Sequence, residues 1–227
     1  VRGGELAGFA VKSLFAVQAR IARAAEAAGR DPASVTLIAV SKTHPVPAIQ
    51  RAYDAGHRDF GESRLQELLP KWEALPKDIR WHFIGTLQSN KAKRAAQLGT
   101  VIHTIESPHQ LREIAKGAPA EGMDGLIEVN TTGEHQKSGI SPTALDELVS
   151  EVLNYPNVRL RGLMTLGHAH RNAEEQRPFF RMLRELNEGM GGTWLSMGMS
   201  NDFEVAIQEG STHVRVGTAI FGERTQA

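Results

Sequence analysis

The chain has 227 residues, 41% hydrophobic and 23% charged, which is enough apolar material for a large core in one domain spanning residues 1–227. Lys plus Arg and Asp plus Glu number 26 each, so no net field draws the chain toward nucleic acid or an anionic membrane. Cysteine is absent, which excludes disulfides, thiolate metal sites and cysteine nucleophiles and fits a reducing compartment. The opening VRGGELAGFAVKSLF lacks the apolar core of a signal peptide, and no run reaches the length of a membrane span. A cytoplasmic chain is therefore expected, flexible over about its first ten residues.

The first element is a helix. Leu14, Val17, Ile21, Ala24 and Ala28 recur at steps of three and four until Gly29 and Asp31–Pro32 end the pattern. SVTLIAVSK (34–42) is short, β-branched and bounded by turn residues, and predicts a strand. From there the two patterns alternate. AIQRAYDAG reads as helix, HRDFGES as strand, SRLQELLPKWEAL as helix apart from Pro70, and RWHFIGT as strand. SNKAKRAAQLG, with Ser89 as its expected cap, reads as helix, TVIHTIES as strand, SPHQLREIAKGA as helix and DGLIEVN as strand. SPTALDELVSEVLNYP is helical, VRLRGLMTLG a strand, and NAEEQRPFFRMLRELNEGMGG a helix whose Phe179, Phe180, Met182 and Leu183 are expected in the core. TWLSMGMS (strand), DFEVAIQEG (helix) and THVRVGTAIFG (strand) complete the chain.

Eight strands separated by helices predict an α/β fold with parallel strands and helical crossovers. The length matches a single (β/α)8 TIM barrel preceded by an extra N-terminal helix. An open doubly wound sheet shares the alternation, but no G-x-G-x-x-G follows the first strand, which weakens a dinucleotide-binding reading.

A barrel gathers the C-terminal ends of its strands on one face, where its site lies. Those ends here are Ser41–Lys42–Thr43, Gly61–Glu62–Ser63, HFIGTLQSNK, Glu128–Val129–Asn130, Met164–Thr165, SMGMSND and RVGTAIFG. The last two place glycines and hydroxyls beside helix starts, an arrangement that binds phosphate after strands seven and eight of many barrels. Gly198 and Gly217 also fit a plain need for tight turns. Lys42 is either a solvated charge or a partly desolvated amine whose charged form is disfavoured, leaving it nucleophilic. An imine-forming lysine beside a phosphate site suits pyridoxal 5'-phosphate (PLP) or a Schiff-base aldolase.

Seven motifs in order, AVSKT (39–43), FGE (60–62), WHFIGTLQSNK (81–91), KSGI (137–140), RGLM (161–164), SMGMSND (196–202) and STHVRVGTAIFG (211–222), resemble the PLP homeostasis protein family. These are small PLP-binding barrels related to the N-terminal domain of alanine racemase, and the similarity runs from about Ala22 onward. The resemblance implies that Lys42 forms the Schiff base with PLP, that Ser200, Gly217 and Thr218 hold its phosphate, and that Arg215 meets its pyridine nitrogen. It also implies that His82 and Asn90 line or approach the pocket. The family usually has Asn after FGE, where this chain has Ser63, a shorter donor and acceptor.

The resemblance further implies a carrier that keeps and supplies PLP to apoenzymes, with racemase-like activity as the alternative. Arginine does not give up a proton at neutral pH, so Arg215 leaves the pyridine nitrogen unprotonated and the electron sink weaker. In alanine racemase one acid/base is a tyrosine from an added β domain. The only tyrosines here, Tyr53 and Tyr155, fall in or near crossover helices, and the chain stops at Ala227 after its eighth strand. Lys137 is a possible secondary lysine for PLP. Lys91, Lys93 and Arg94 read as a solvated helix face, and His168 with His170 as a polar loop in the absence of a carboxylate–histidine pattern. No metal, nucleic-acid or membrane partner is expected, and the chain is expected to be a monomer.

Overall fold

The eight apolar runs pair side by side in chain order, and the last returns to the first. The computed structural model describes residues 2–168 and 171–222, with side chains from residue 10 onward. Its strands are β1 (Thr36–Val40), β2 (Asp59–Glu62), β3 (Arg80–Phe83), β4 (Val101–Ile105), β5 (Met123–Glu128), β6 (Val158–Met164), β7 (Trp194–Ser196) and β8 (His213–Val216). They form a closed barrel in sequence order. β1 closes on β8 in parallel, with Thr36 opposite His213 and Ile38 opposite Arg215.

Parallel neighbours require a long crossover, and a helix supplies each one. These are α2 (Val46–Asp54), α3 (Leu65–Ala74), α4 (Ser89–Gln97), α5 (Pro108–Gly117), α6 (Leu145–Val152), α7 (Ala173–Gly189) and α8 (Phe203–Gln208). α1 (Arg2–Ala27) precedes the barrel and α9 (Thr218–Phe221) follows it. The backbone of α1 thus takes in most of the N-terminal segment expected to be flexible. Its buried Leu14, Val17, Ile21, Ala24 and Ala25 pack on α8, α9 and α2. Arg20 Nε fixes that position by donating to Glu204 Oε1 at 2.8 Å.

Alternation along each strand divides the interior in two. Leu37, Ala39, Phe60, Trp81, Phe83, Ile102, Leu195, Val214 and Val216 join the apolar layer between strands and helices. The alternate positions, Asp59, His82, His103, Ser196, His213 and Arg215, face the barrel lumen and are all buried. A lumen is more often filled by branched aliphatic residues. Ile38 and Met164 are apolar here, opposite Arg215 and Ser196, but the rest of this stretch is polar and its groups bond to one another.

Three local expectations need correction. The eighth strand stops at Val216, and Thr218–Phe221 is helical; the β1 ladder that pairs with it runs only as far as Ala39, leaving later residues no strand partner. Ser89 is the first helical residue and not the cap, since Gln88 holds that position without a side-chain bond. In α7 the buried stripe is Gln176, Phe180, Leu183 and Asn187, at steps of four and three, so Phe180 and Leu183 are in the core as expected while Phe179 is only half-buried and Met182 is 40% exposed.

Candidate functional site at the C-terminal face of the barrel

The chain turns sharply after β1, and that turn carries Lys42. Thr43 has φ 68°, a left-handed conformation that a β-branched residue adopts only when its surroundings impose it. The surroundings are specific. Glu67 Oε2 accepts from the Thr43 backbone N–H at 2.7 Å. Ser41 Oγ donates to Glu62 Oε1 at 2.6 Å, and Lys71 Nζ donates to that same oxygen at 2.6 Å and to the Ser41 carbonyl at 2.9 Å. The residues on either side of Lys42 are thus pinned by β2 and α3. Burial pushes the Glu62 carboxyl up, and Lys71 and Ser41 act against that push.

Lys42 faces a cavity of about 500 Å³ over the open end of the lumen. Ser63, Glu128, Ser200, Arg215, Gly217 and Thr218 also line it. Thr218 Oγ1 donates to Ser200 Oγ at 3.2 Å, so the two hydroxyls meet on one wall. Beside them the backbone is packed too closely for a side chain at Gly198, where a Cβ would stand 2.6 Å from Ala206 Cβ and 2.9 Å from Phe203 Cα. At Gly217 a Cβ would meet the Val40 carbonyl at 3.3 Å. Packing and a φ of +95° therefore require glycine at 198, while at 217 a side chain would fit only tightly, and it is Gly217 that lines the cavity.

Arg215 enters from below. Its Nη1 donates to Ser196 Oγ at 2.7 Å and its Nη2 to the Thr165 carbonyl at 2.9 Å. Burial lowers its pKa to about 10, with Asp202 and Glu128 acting in the other direction, so the guanidinium stays cationic at neutral pH. Glu128 accepts from Ser138 Oγ at 2.7 Å through Oε1, while its buried Oε2 has no hydrogen-bond partner. Burial pushes this carboxyl up, Ser138 and Arg215 act against that push, and it faces the cavity. Asp202, raised by burial, accepts from the Met199 N–H at 2.6 Å and shapes the loop bearing Ser200.

Of the residues singled out in the sequence, Lys42, Ser200, Arg215, Gly217 and Thr218 come together around the cavity, and Ser63 joins them. The described lining residues do not include His82, Asn90 or Lys137. His82 lies deeper in the lumen against Asp59 and His103. Asn90 sits in the first turn of α4. Lys137 donates to the Gly167 carbonyl at 2.8 Å and pairs with Glu134. His168 lines the cavity and stands 3.4 Å from Glu134, while His170 lies outside the described residues. Sequence reading left Glu128, Ser138 and Lys71 without roles. Lys71 had a legible signal, a lysine on the Leu65–Leu68 stripe of α3. Among the described residues no group of three or more His, Cys, Asp or Glu is placed to hold a metal, and no helix is long and apolar enough to cross a membrane.

The family model for the alanine racemase N-terminal domain matches residues 13–225. The pyridoxal phosphate homeostasis protein of Aquifex aeolicus is 45% identical over 224 residues, covering 95% of this chain and 98% of that protein. The chain belongs to the pyridoxal phosphate homeostasis protein family, within the alanine racemase N-terminal domain group. The protein of that name from Escherichia coli K12 is 40% identical over 93% of this chain and 95% of its own. Among solved structures, PipY of Synechococcus elongatus PCC7942 with PLP bound superposes with TM-score 0.77 at 34% identity, covering 89% of this chain and all (100%) of that one. Alanine racemase from Bacillus anthracis shares the fold at TM-score 0.68 and 19% identity, and this family member covers 57% of it.

Proposed function

We propose that this family member binds PLP in the cavity through a Schiff base on Lys42 and acts in intracellular PLP homeostasis and supply. One observation carries the reading: the Lys42 amine, the paired Ser200 and Thr218 hydroxyls, and the Arg215 guanidinium all line a single cavity large enough for the cofactor. Ser200, Thr218 and the backbone at Gly217 suit a phosphate, and Arg215 suits an aromatic ring nitrogen that accepts a hydrogen bond. The relatives named for PLP homeostasis and the PLP-bound PipY structure support it.

Bound PLP supplies an electron sink for amino-acid chemistry. Arg215 would donate to the ring nitrogen without protonating it, which favours holding the cofactor over driving turnover. The recipients are PLP-dependent apoenzymes, and the protein works as a cytoplasmic monomer. Residual racemase-like activity is the second reading, favoured by one observation: the Glu128 carboxyl, raised by burial, faces the same cavity.

Equilibrium dialysis against PLP, read by absorbance of the retained protein, tests the binding. The wild type retains one PLP per chain with a band near 410–430 nm (roughly the range of protonated PLP imines), and Lys42→Ala lacks that band. A wild type that retains no PLP overturns the reading. Solvent deuterium entry at Cα of alanine separates carrier from racemase.

A further inference from the structure

Four buried polar residues below the cavity are joined end to end. Ser196 Oγ, which accepts from Arg215, stands 2.8 Å from His103 Nδ1. His103 Nε2 stands 2.9 Å from His82 Nδ1, and His82 Nε2 stands 3.0 Å from Asp59 Oδ1. The series crosses the lumen from β8 through β7, β4 and β3 to the first residue of β2. None of these groups is more than 7% exposed.

The carboxylate end of the series fixes its direction, given one hydrogen on each imidazole. A guanidinium is a donor only, and an ionised carboxylate an acceptor only. Asp59 is ionised: burial would raise its carboxyl, but hydrogen bonds from Arg80 and His82 hold it well below the usual carboxylate range. Ser196 Oγ accepts from Arg215 and still has its own hydrogen to give. The carboxylate end directs it: Asp59 takes the His82 Nε2 hydrogen, so a His82 ring with one hydrogen accepts at Nδ1 from His103 Nε2, and His103 Nδ1 accepts from the Ser196 hydroxyl. Each link uses one hydrogen, and the count closes with one hydrogen on each imidazole. Arg80, which donates to Asp59 through Nε at 2.8 Å, already supplies the cation that the carboxylate pairs with. Burial also holds His103 well below its ordinary value, in keeping with a neutral ring.

We infer that Ser196, His103, His82 and Asp59 are positioning residues that lock Arg215 as an oriented N–H donor beneath the cavity, so that the cavity selects a ligand presenting an unprotonated ring nitrogen there. The inference rests on the proposed PLP reading for the ligand, but the chain of hydrogen bonds belongs to the protein alone. It accounts for the histidines and serine that stand in the lumen across β3, β4 and β7 where aliphatic side chains would be usual. It also gives His82 a part in the site without a place in the cavity wall.

Two measurements test it separately from PLP binding itself. In 15N-histidine NMR of the unliganded protein near neutral pH, His103 and His82 are each expected to be protonated on Nε2 and bare on Nδ1. A hydrogen on Nδ1 of either ring overturns the inference even if PLP binds. By equilibrium dialysis, Ser196→Ala is expected to weaken PLP about tenfold, the loss of one charge-assisted hydrogen bond. Ser196→Thr keeps the hydroxyl and is expected to retain the affinity. Asp59→Asn, at the far end, is expected to weaken PLP about threefold. Wild-type affinity in both Ser196→Ala and Asp59→Asn contradicts the inference. If the wild type takes up no PLP, the PLP reading fails while the NMR result still reports on the chain of bonds.

Discussion

Lys71 Nζ lies 2.6 Å from Glu62 Oε1, an ion pair whose lysine is 7% exposed and whose glutamate is fully buried directly behind the Lys42 turn. Lys71 also holds the Ser41 carbonyl. The pair therefore connects the packing of α3 to the placement of the amine at the end of β1. Burying two charges is costly, and such a pair is retained where both partners have further bonds and a geometric task.

Breaking that pair from one side leaves a buried carboxylate without its cation. Lys71→Met is expected to lower unfolding free energy in urea by about 3–5 kcal/mol at neutral pH. Adding Glu62→Gln to it is expected to recover a large part of the loss, because the stranded charge is gone. A single variant as stable as the wild type would show that the pair does not hold the turn.

Gly198 has φ +95° and no room for a Cβ, whereas Gly191 has φ +72° and nothing within 4 Å of the built Cβ. Alanine at 191 costs only the backbone strain, about 1 kcal/mol. Alanine at 198 adds a clash with Phe203 backbone, and its Tm is expected to fall by about 4–8 °C, the shift for a loss of about 2 kcal/mol in a chain of this size. Equal melting temperatures for the two variants would remove the packing argument for the loop that carries Ser200.

Burial lowers His213 to about 3, the nearby His82 adding to the effect. The unfolded chain, with a histidine near 6.5, binds this proton more readily than the folded one. The contribution to stability is complete above pH 6.5 and is lost as the pH falls toward 3. It amounts to about 5 kcal/mol over that window. His103, lowered in the same direction by burial, adds to the slope. A series of urea midpoints from pH 7 to 4 is expected to fall steadily in the wild type and less steeply in His213→Gln. Identical slopes would mean that His213 does not titrate with unfolding.

The barrel was legible because each element carried its own period. Apolar runs such as Leu37–Val40 and the three- and four-residue spacing in α1 depend on local pattern alone. Strand ends at Lys42, Arg215 and Gly217 followed from that count, since a barrel sends them all to one face. What pattern could not supply was the partner of each group. Ser196 bonds to His103, 93 positions away, and Glu128 pairs with Ser138 in the loop after its own strand. Such pairings are set by barrel closure and loop path, which no window of sequence contains. His82 shows the limit well: its motif was visible, but only the register of β3 against β2 and β4 turns its ring down the lumen and away from the cavity.

The account stands or falls on the amine at the end of β1. The most direct measurement is to load the protein with PLP, reduce it with borohydride, and locate the adduct by peptide mass mapping. One pyridoxyl-phosphate group on Lys42 and none on Lys137 is the predicted result. An adduct on another lysine with Lys42 unmodified, or equal labelling in Lys42→Arg, would contradict the account.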